Sequence, residues 1–334
     1  MRPQILWLTA NSCAGGIISL LNSLHPDHRQ ITEEYFDFPY EGFTMAAEGN
    51  LAMQPLEEAL QGPADAYILV VEGSIPVAAE GFYCVMGYRN GKPWTALEAV
   101  KELAAKARFI VAAGTCAAFG GPSAAEPNPT GARPVSAVIP QKAINVPGCP
   151  VHPDWIAGTL FHLAEYGEPE LDAHNRPLLF YGETVHDRCE RRHCFESGIF
   201  AQKPGEPWCM YKIGCKGPVT HADCPVRHWC GEHTNWPVGA NTPCIGCTSP
   251  QFPDGTAPFF EHLPDIKTPG VKLAADRAGL LTGAATALGI GAHLAANIAT
   301  GRIGRTLRKG RKQFSPGHAL RKMLPKLRGH HTKL

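Results

Sequence analysis

Twelve cysteines dominate the chemistry open to this 334-residue chain. Cys13, Cys84, Cys116 and Cys149 stand far apart in the first half, and the others all fall between Cys189 and Cys247, among Trp, Pro, Gly and His. In that segment Cys244-Ile-Gly-Cys247 is a C-x2-C pair after Pro243, and His186-Asp-Arg-Cys189 is an H-x2-C pair. Cys209 and Cys215 are separated by five residues, with Gly214 before the second, and Pro225 follows Cys224. Thiolate and imidazole sets of this kind serve zinc or iron–sulfur clusters. A zinc ribbon wants two C-x2-C knuckles, and only one is present; a cluster accepts ligands spread widely along the chain. From about Tyr181 to Asp254 the sequence has little helical or strand period and few aliphatic residues, so an inorganic centre is needed to hold it together.

The first half supplies elements that can aim side chains at one edge. Ile5–Leu8, Ala66–Val71 and Phe109–Ala113 are continuous apolar runs, and Asn145–Val146 leads into Pro147-Gly148-Cys149. Ala96–Lys106 reads as an amphipathic helix. Apolar strands alternating with helices predict a parallel sheet covered on both faces. Ligands of open α/β sheets sit at the carboxyl ends of the strands, so Cys13, Glu72, Cys116 and Cys149 are expected to converge. A cysteine near a strand end is often just a small buried apolar residue; that suits one of them and fits three poorly.

Charged residues are only 18% of the chain and the net charge is +1, which implies no nucleic-acid partner and a surface partly hidden against another protein. The opening MRPQILWLTANSC carries one arginine and a very short apolar stretch. It does not read as a secretory or twin-arginine signal, so the expected location is the cytoplasm, where cysteines bind metal more often than they pair. No G-x-G-x-x-G follows the first strand and no phosphate loop is present. Gly279–Thr300 has no charged residue and is long enough to span a bilayer, but its Ala/Gly composition favours a buried, closely packed helix. From Arg302 to the end there are eleven Lys/Arg and no acid, a solvated tail or a handle for an anionic surface at the inner face of the membrane.

Seven motifs together resemble the nickel–iron hydrogenase small subunit: WLTANSC near the start, VVEGSIP (70–76), GTCAAFGG (114–121), EPNPTGA (126–132), VPGCPVHPDW (146–155), the H-x2-C at His186, and PCIGC (243–247). Their order and spacing cover most of residues 3–300. The resemblance implies a flavodoxin-like α/β domain over 1–165 carrying a proximal cluster, a loop-rich domain over 166–270 with medial and distal clusters, an Ala/Gly-rich helix over 271–300 and a basic tail over 301–334. It implies proximal ligands Cys13, Cys116 and Cys149, distal ligands His186, Cys189, Cys209 and Cys215, and medial ligands Cys224, Cys244 and Cys247, with Pro237 where a fourth ligand would stand. The distal cluster would be 4Fe–4S and the medial 3Fe–4S, or 4Fe–4S if Cys230 joins it. The implied activity is relay of electrons between the active site of a separate nickel–iron large subunit, where H2 equilibrates with protons and electrons, and an acceptor protein or a membrane quinone or cytochrome, in a higher oligomer of heterodimers. The alternative is a cluster subunit of a related quinone-type redox complex, which would share only the first domain.

One departure stands out. The family has a C-x2-C pair at the proximal site; this chain reads Cys13-Ala14-Gly15-Gly16. The proximal cluster is therefore expected to be 3Fe–4S on three thiolates, or 4Fe–4S with a non-cysteine ligand: Glu72 first, then Ser12 or Ser19. Gly15 and Gly121 stand where oxygen-tolerant members carry extra cysteines. Cys84 is expected to be a buried thiol and Cys194 to face the distal loops.

Overall fold

The computed structural model describes residues 2–229, 232–262, 266–268, 271–273 and 275–302. Five strands make the central sheet: β1 (Gln4–Thr9), β2 (Asp37–Glu41), β3 (Tyr67–Glu72), β4 (Phe109–Ala113) and β5 (Ile144–Val146). All pairings are parallel and the order is β2-β1-β3-β4-β5, the doubly wound flavodoxin-like order. The helices are α1 (Gly15–Leu21), α2 (Gly49–Gln61), α3 (Ala96–Ala104), α4 (Gly114–Phe119) and α5 (Pro153–Glu165).

Successive strand side chains point to opposite faces, and each face is covered. Ile5, Trp7, Ile68, Val70, Val111 and Val146 pack with Ile17 and Leu20 of α1 and with Trp155, Ile156 and Leu160 of α5. Leu6, Leu8, Leu69, Val71 and Ile110 pack with Leu56 of α2 and Val100 and Leu103 of α3. Burial on both sides is why the strands read as unbroken apolar runs rather than as alternation.

α3 starts on a capping box. The Thr95 hydroxyl accepts the Glu98 N–H at 3.2 Å while the Glu98 carboxylate accepts the Thr95 N–H, also at 3.2 Å. Thr95 is buried, so water cannot replace the lost cap in Thr95→Ala. That variant should lose about 1 kcal/mol, a Tm fall of roughly 2–4 °C for a domain of this size. An unchanged thermal melt would show the cap to be dispensable.

Residues 1–263 form one compact unit, so the change of character expected near 165 is a change of architecture inside a shared core. Tyr181, Val185, Ala222, Trp236 and Val238 belong to the same apolar cluster as α5. Beyond it, the loop-rich segment holds only short helical turns such as Arg192–Glu196 and Cys224–Arg227. Its one further cluster of buried apolar side chains among the described residues is Ala201, Met210 and Ile213.

The second unit begins at Pro264. Its strands Ile266–Thr268 and Val271–Leu273 pair antiparallel, and a helix spans Ala275–Ala299. Ala278–Ala299 is 22 residues long with a mean hydropathy of 1.4, long and apolar enough by length and composition to cross a membrane. A buried helix was expected; instead Leu280, Leu281, Leu288, Ile290 and Ile298 are exposed. Its apolar residues lie all round the helix, a pattern that calls for apolar surroundings on every side, and the described residues of this chain do not supply them.

Candidate metal centres

Three elements deliver the first group of thiols. After β1 the chain turns through Ala14, in the left-handed region at φ 58°, and presents Cys13 ahead of α1. β4 runs directly into α4, which carries Cys116 in its first turn. Cys149 follows β5. The Thr115 side chain ties two of these pieces together: the Gly148 N–H donates to its hydroxyl at 2.9 Å, and the hydroxyl donates to the Cys247 carbonyl. Partial desolvation by the surrounding loops, and then the proximity of Cys116, Cys247 and Cys13, push the Cys149 thiol up to about 11, although the residue itself still reaches the surface. The convergence expected at the strand ends is therefore present. Two glycines keep the space around the sulfurs open. A Cβ on Gly15 would stand 3.1 Å from Cys13 Sγ, and one on Gly121 would stand 3.0 Å from Cys116 Sγ.

Glu72 lies at the same edge but has another task. Its Oε1 accepts from Ser12 Oγ at 2.9 Å and the Gly16 N–H at 2.7 Å. Its Oε2 accepts from Trp7 Nε1 at 3.0 Å and the Ile17 N–H at 3.1 Å. A carboxylate has about four acceptor positions, and these bonds fill them. The buried carboxylate satisfies the free N–H groups at the start of α1. This corrects the expectation of Glu72 as a cluster ligand: no lone pair is left for iron. Ser12 is spent on Glu72, and Ser19 donates to the Val151 carbonyl at 2.6 Å. The glycine at 16 is part of the same arrangement, since a Cβ there would lie 2.9 Å from the Glu72 carboxyl carbon.

The second group opens on a cavity of about 590 Å³, lined by Cys149, Cys224, Cys244 and Cys247 and by Pro237, Trp229 and Trp236. Cys224 starts the short helix Cys224–Arg227. Burial pushes its thiol up to about 12, with Cys247 adding to the effect. Cys244 and Cys247 are raised chiefly by burial as well. Pro237 lines the cavity with no donor atom to offer. Cys230 lies outside the described residues.

The third group shares one cavity: His186, Cys189, Cys209 and Cys215 line it together with Arg191 and Trp236. A tight turn presents His186: the Thr184 hydroxyl donates to the Asp187 carboxylate at 2.6 Å, and the Asp187 N–H donates back to the hydroxyl at 3.2 Å. The imidazole meets Phe195 edge-on, with ring centroids 4.7 Å apart. The turn into Cys215 requires Gly214, at φ 98°, because a Cβ there would come within 3.0 Å of the Phe259 carbonyl. Burial pushes the Cys189 thiol up to about 11. Cys194 is buried beside this group, its sulfur 3.2 Å from His193 Nε2. Cys84 belongs to none of the three groups; it precedes the hairpin strand Val85–Arg89, and burial raises its thiol too.

The groups touch in series. Cys149 lines the second cavity together with Cys247, whose carbonyl accepts from Thr115, and the Lys216 N–H next to Cys215 donates to the Cys244 carbonyl at 2.8 Å. Left to themselves, thiols raised in this way stay protonated; a cationic iron centre reverses that balance and takes them as thiolates. Among the described residues no three His, Cys, Asp or Glu side chains converge closely enough to hold one metal ion. The Trp236 indole N–H, buried without a partner and lining both the second and third cavities, suits a sulfur-rich centre. Arg191 and Trp236 carry no motif of their own, and only the fold brings them to the cysteines.

A flavodoxin-like sheet whose strand ends, together with an adjoining loop region, hold three linked thiol groups defines an iron–sulfur electron-transfer subunit. Residues 13–163 match the family described as NADH ubiquinone oxidoreductase, 20 Kd subunit, and residues 181–260 match the C-terminal family of NiFe/NiFeSe hydrogenase small subunits. The periplasmic [NiFeSe] hydrogenase small subunit of Desulfomicrobium baculatum is 38% identical over 276 residues, covering 78% of this chain and 87% of the relative. The quinone-reactive Ni/Fe-hydrogenase small chain of Wolinella succinogenes is 38% identical over 304 residues, covering 87% and 85%. A reduced, active Ni–Fe–Se hydrogenase structure from Desulfomicrobium baculatum superposes with a TM-score of 0.75 at 38% identity, over 79% of this chain and all of the other. The chain belongs to the nickel–iron hydrogenase small subunits, the electron-transfer subunits of these oxidoreductases. The match over 181–260 decides for this reading over the related quinone-type complex, which resembles it only in the first domain.

Proposed function

We propose that this chain carries three clusters in a row: proximal on Cys13, Cys116 and Cys149, medial on Cys224, Cys244 and Cys247, and distal on His186, Cys189, Cys209 and Cys215. The observation that carries the reading is the serial adjacency of the three groups: Cys149 lines one cavity with Cys224, Cys244 and Cys247, and the Lys216 N–H beside Cys215 donates to the Cys244 carbonyl at 2.8 Å. The proximal site holds a 3Fe–4S cluster on three thiolates, because position 16 is glycine and Glu72 is fully engaged. The medial site has three thiolates and Pro237, and is likewise 3Fe–4S; the distal site has four donors and is 4Fe–4S.

When bound, the clusters supply one-electron carriers. The chain's residues hold them at fixed separation, exclude water and set their potentials through charge and hydrogen bonds. Cys13 and Cys149 are exposed on the proximal edge, which supports a nickel–iron large subunit covering it. With the clusters in place, Cys13, Cys116 and Cys149 would hold the end that receives electrons from that subunit, and His186, Cys189, Cys209 and Cys215 the end from which they would leave. Iron and sulfide analysis of the co-purified heterodimer, with EPR, tests the assignment. Two three-iron signals and one four-iron signal are expected; a zinc-only protein would end the reading.

The exposed apolar helix and the basic segment after Arg302 fit attachment to an anionic membrane surface, from which the acceptor would be a quinone or cytochrome. Deleting residues 302–334 should leave dye-linked H2 oxidation intact and weaken binding to anionic vesicles. The loss should match the effect of raising salt, since screening shortens the reach of these charges to about 8 Å at physiological ionic strength. Salt-independent binding would make the tail a bystander.

A further inference from the structure

Arg191 is only 8% exposed, yet among the described residues its guanidinium meets no acid. Nη1 donates to the Glu206 carbonyl at 3.3 Å and the Trp208 carbonyl at 3.1 Å, and Nη2 donates to Asn241 Oδ1. All three acceptors are neutral. The comparably buried Arg176 has the Asp172 carboxylate at 2.7 Å, and the half-buried Arg227 has Asp154 and Asp223 at 3.0 and 2.7 Å. Arg191 has no carboxylate partner among the described residues. Burying a permanent cation with neutral acceptors alone is strongly unfavourable, and proteins do it where an anion completes the pair. The surroundings name that anion: Arg191 lines the cavity of His186, Cys189, Cys209 and Cys215, and its own N–H lies 3.4 Å from Cys189 Sγ.

We propose that Arg191 is the internal counter-ion of the distal iron–sulfur cluster and raises its reduction potential. The inference rests on the distal site proposed above. Reduction adds a negative charge to the cluster, and a fixed cation beside it stabilises the reduced form more than the oxidised form. The neutral acceptors hold the guanidinium in place without neutralising it, and burial leaves its field unscreened by salt. Arg191 is thus a positioning and tuning residue that makes the distal site a better electron sink.

The test is an EPR-monitored redox titration of the intact heterodimer. In Arg191→Gln the distal potential should fall while the proximal and medial potentials and the iron content stay at wild-type values. Arg191→Lys should keep the distal potential. Arg191→His guards against a neutral variant that loses iron: its distal potential should fall with rising pH more steeply than in the wild type, as the imidazole loses its proton. Two results would overturn the inference: an unshifted distal potential in Arg191→Gln with full iron, or a wild-type pH slope in Arg191→His. Absence of any distal signal in the wild-type heterodimer would overturn the distal site itself, and the inference with it.

Discussion

Gly16→Cys alone is expected to leave the proximal cluster with three irons and to destabilise the subunit. Position 16 is where the family's second proximal cysteine would stand, so simple donor counting says the variant should restore a four-iron cluster. The geometry says otherwise, because the new Cβ would lie 2.9 Å from the Glu72 carboxyl carbon and 3.1–3.2 Å from both its oxygens. The carboxylate must then give up bonds to Trp7, Ser12, Gly16 and Ile17. Each buried donor left unpaired costs about 1–3 kcal/mol, a large share of a total stability of roughly 5–15 kcal/mol. Pairing Gly16→Cys with Glu72→Asp shortens the acid by one methylene and withdraws it from the new side chain. That double variant is the one expected to gain the fourth iron, read by Mössbauer spectroscopy and EPR. Glu72→Gln by itself replaces two acceptor positions with donors facing N–H groups, and should lower the Tm without removing proximal iron. Loss of one iron from Glu72→Gln at unchanged stability would return the ligand role to Glu72. A four-iron proximal cluster in the wild type would sink the three-thiolate reading, and one in Gly16→Cys alone, with an unchanged Tm, would sink the steric argument from Glu72.

His186→Ala should separate the two halves of the enzyme's work. The imidazole is held by the Thr184–Asp187 turn and by the edge of Phe195, at the far end of the series from Cys13. Its loss should perturb only the distal site, so H2/D2 exchange at the large subunit continues. Dye reduction should fall about 10- to 100-fold, the range seen when the support of a metal site is removed. His186→Cys should recover much of the iron at a lower distal potential, since imidazole in place of thiolate raises the potential of a cluster. Equal loss of exchange and dye reduction in His186→Ala would assign the residue to folding.

The strands and the thiol groups were legible in the chain for the same reason: both depend on local pattern. Phe109–Ala113 was read with the bounds it has in the structure, because a strand covered on both faces must be apolar throughout. The helix read as Ala96–Lys106 ends two residues earlier, at Ala104. The H-x2-C and C-x2-C spacings stand out because ligands close in sequence meet in space with no help from the rest of the fold. The helix over 275–299 was misread because composition does not say whether anything packs against it.

Sequence alone determined that apolar strands of a parallel sheet end in turns carrying Cys13, Cys116 and Cys149 and that a loop segment gathers the other cysteines, since periodicity and short-range spacing are written into the order of residues; the sorting into three sets came with the family resemblance. Tertiary structure alone decided what the polar groups around those donors do. Glu72 and Gly16 are separated by 56 residues, and nothing in either motif says that the carboxylate fills the place of a missing side chain. Cys247 shares a cavity with Cys149, and the chain beside Cys215 bonds to Cys244 through the Lys216 N–H, only once the loop region folds onto the sheet edge. Arg191 looks like any charged residue in a polar loop until burial removes its water and leaves it facing the distal thiols. A hydrogen bond or an uncompensated charge is a property of position in space, and contacts across such distances along the chain leave no periodic trace in it.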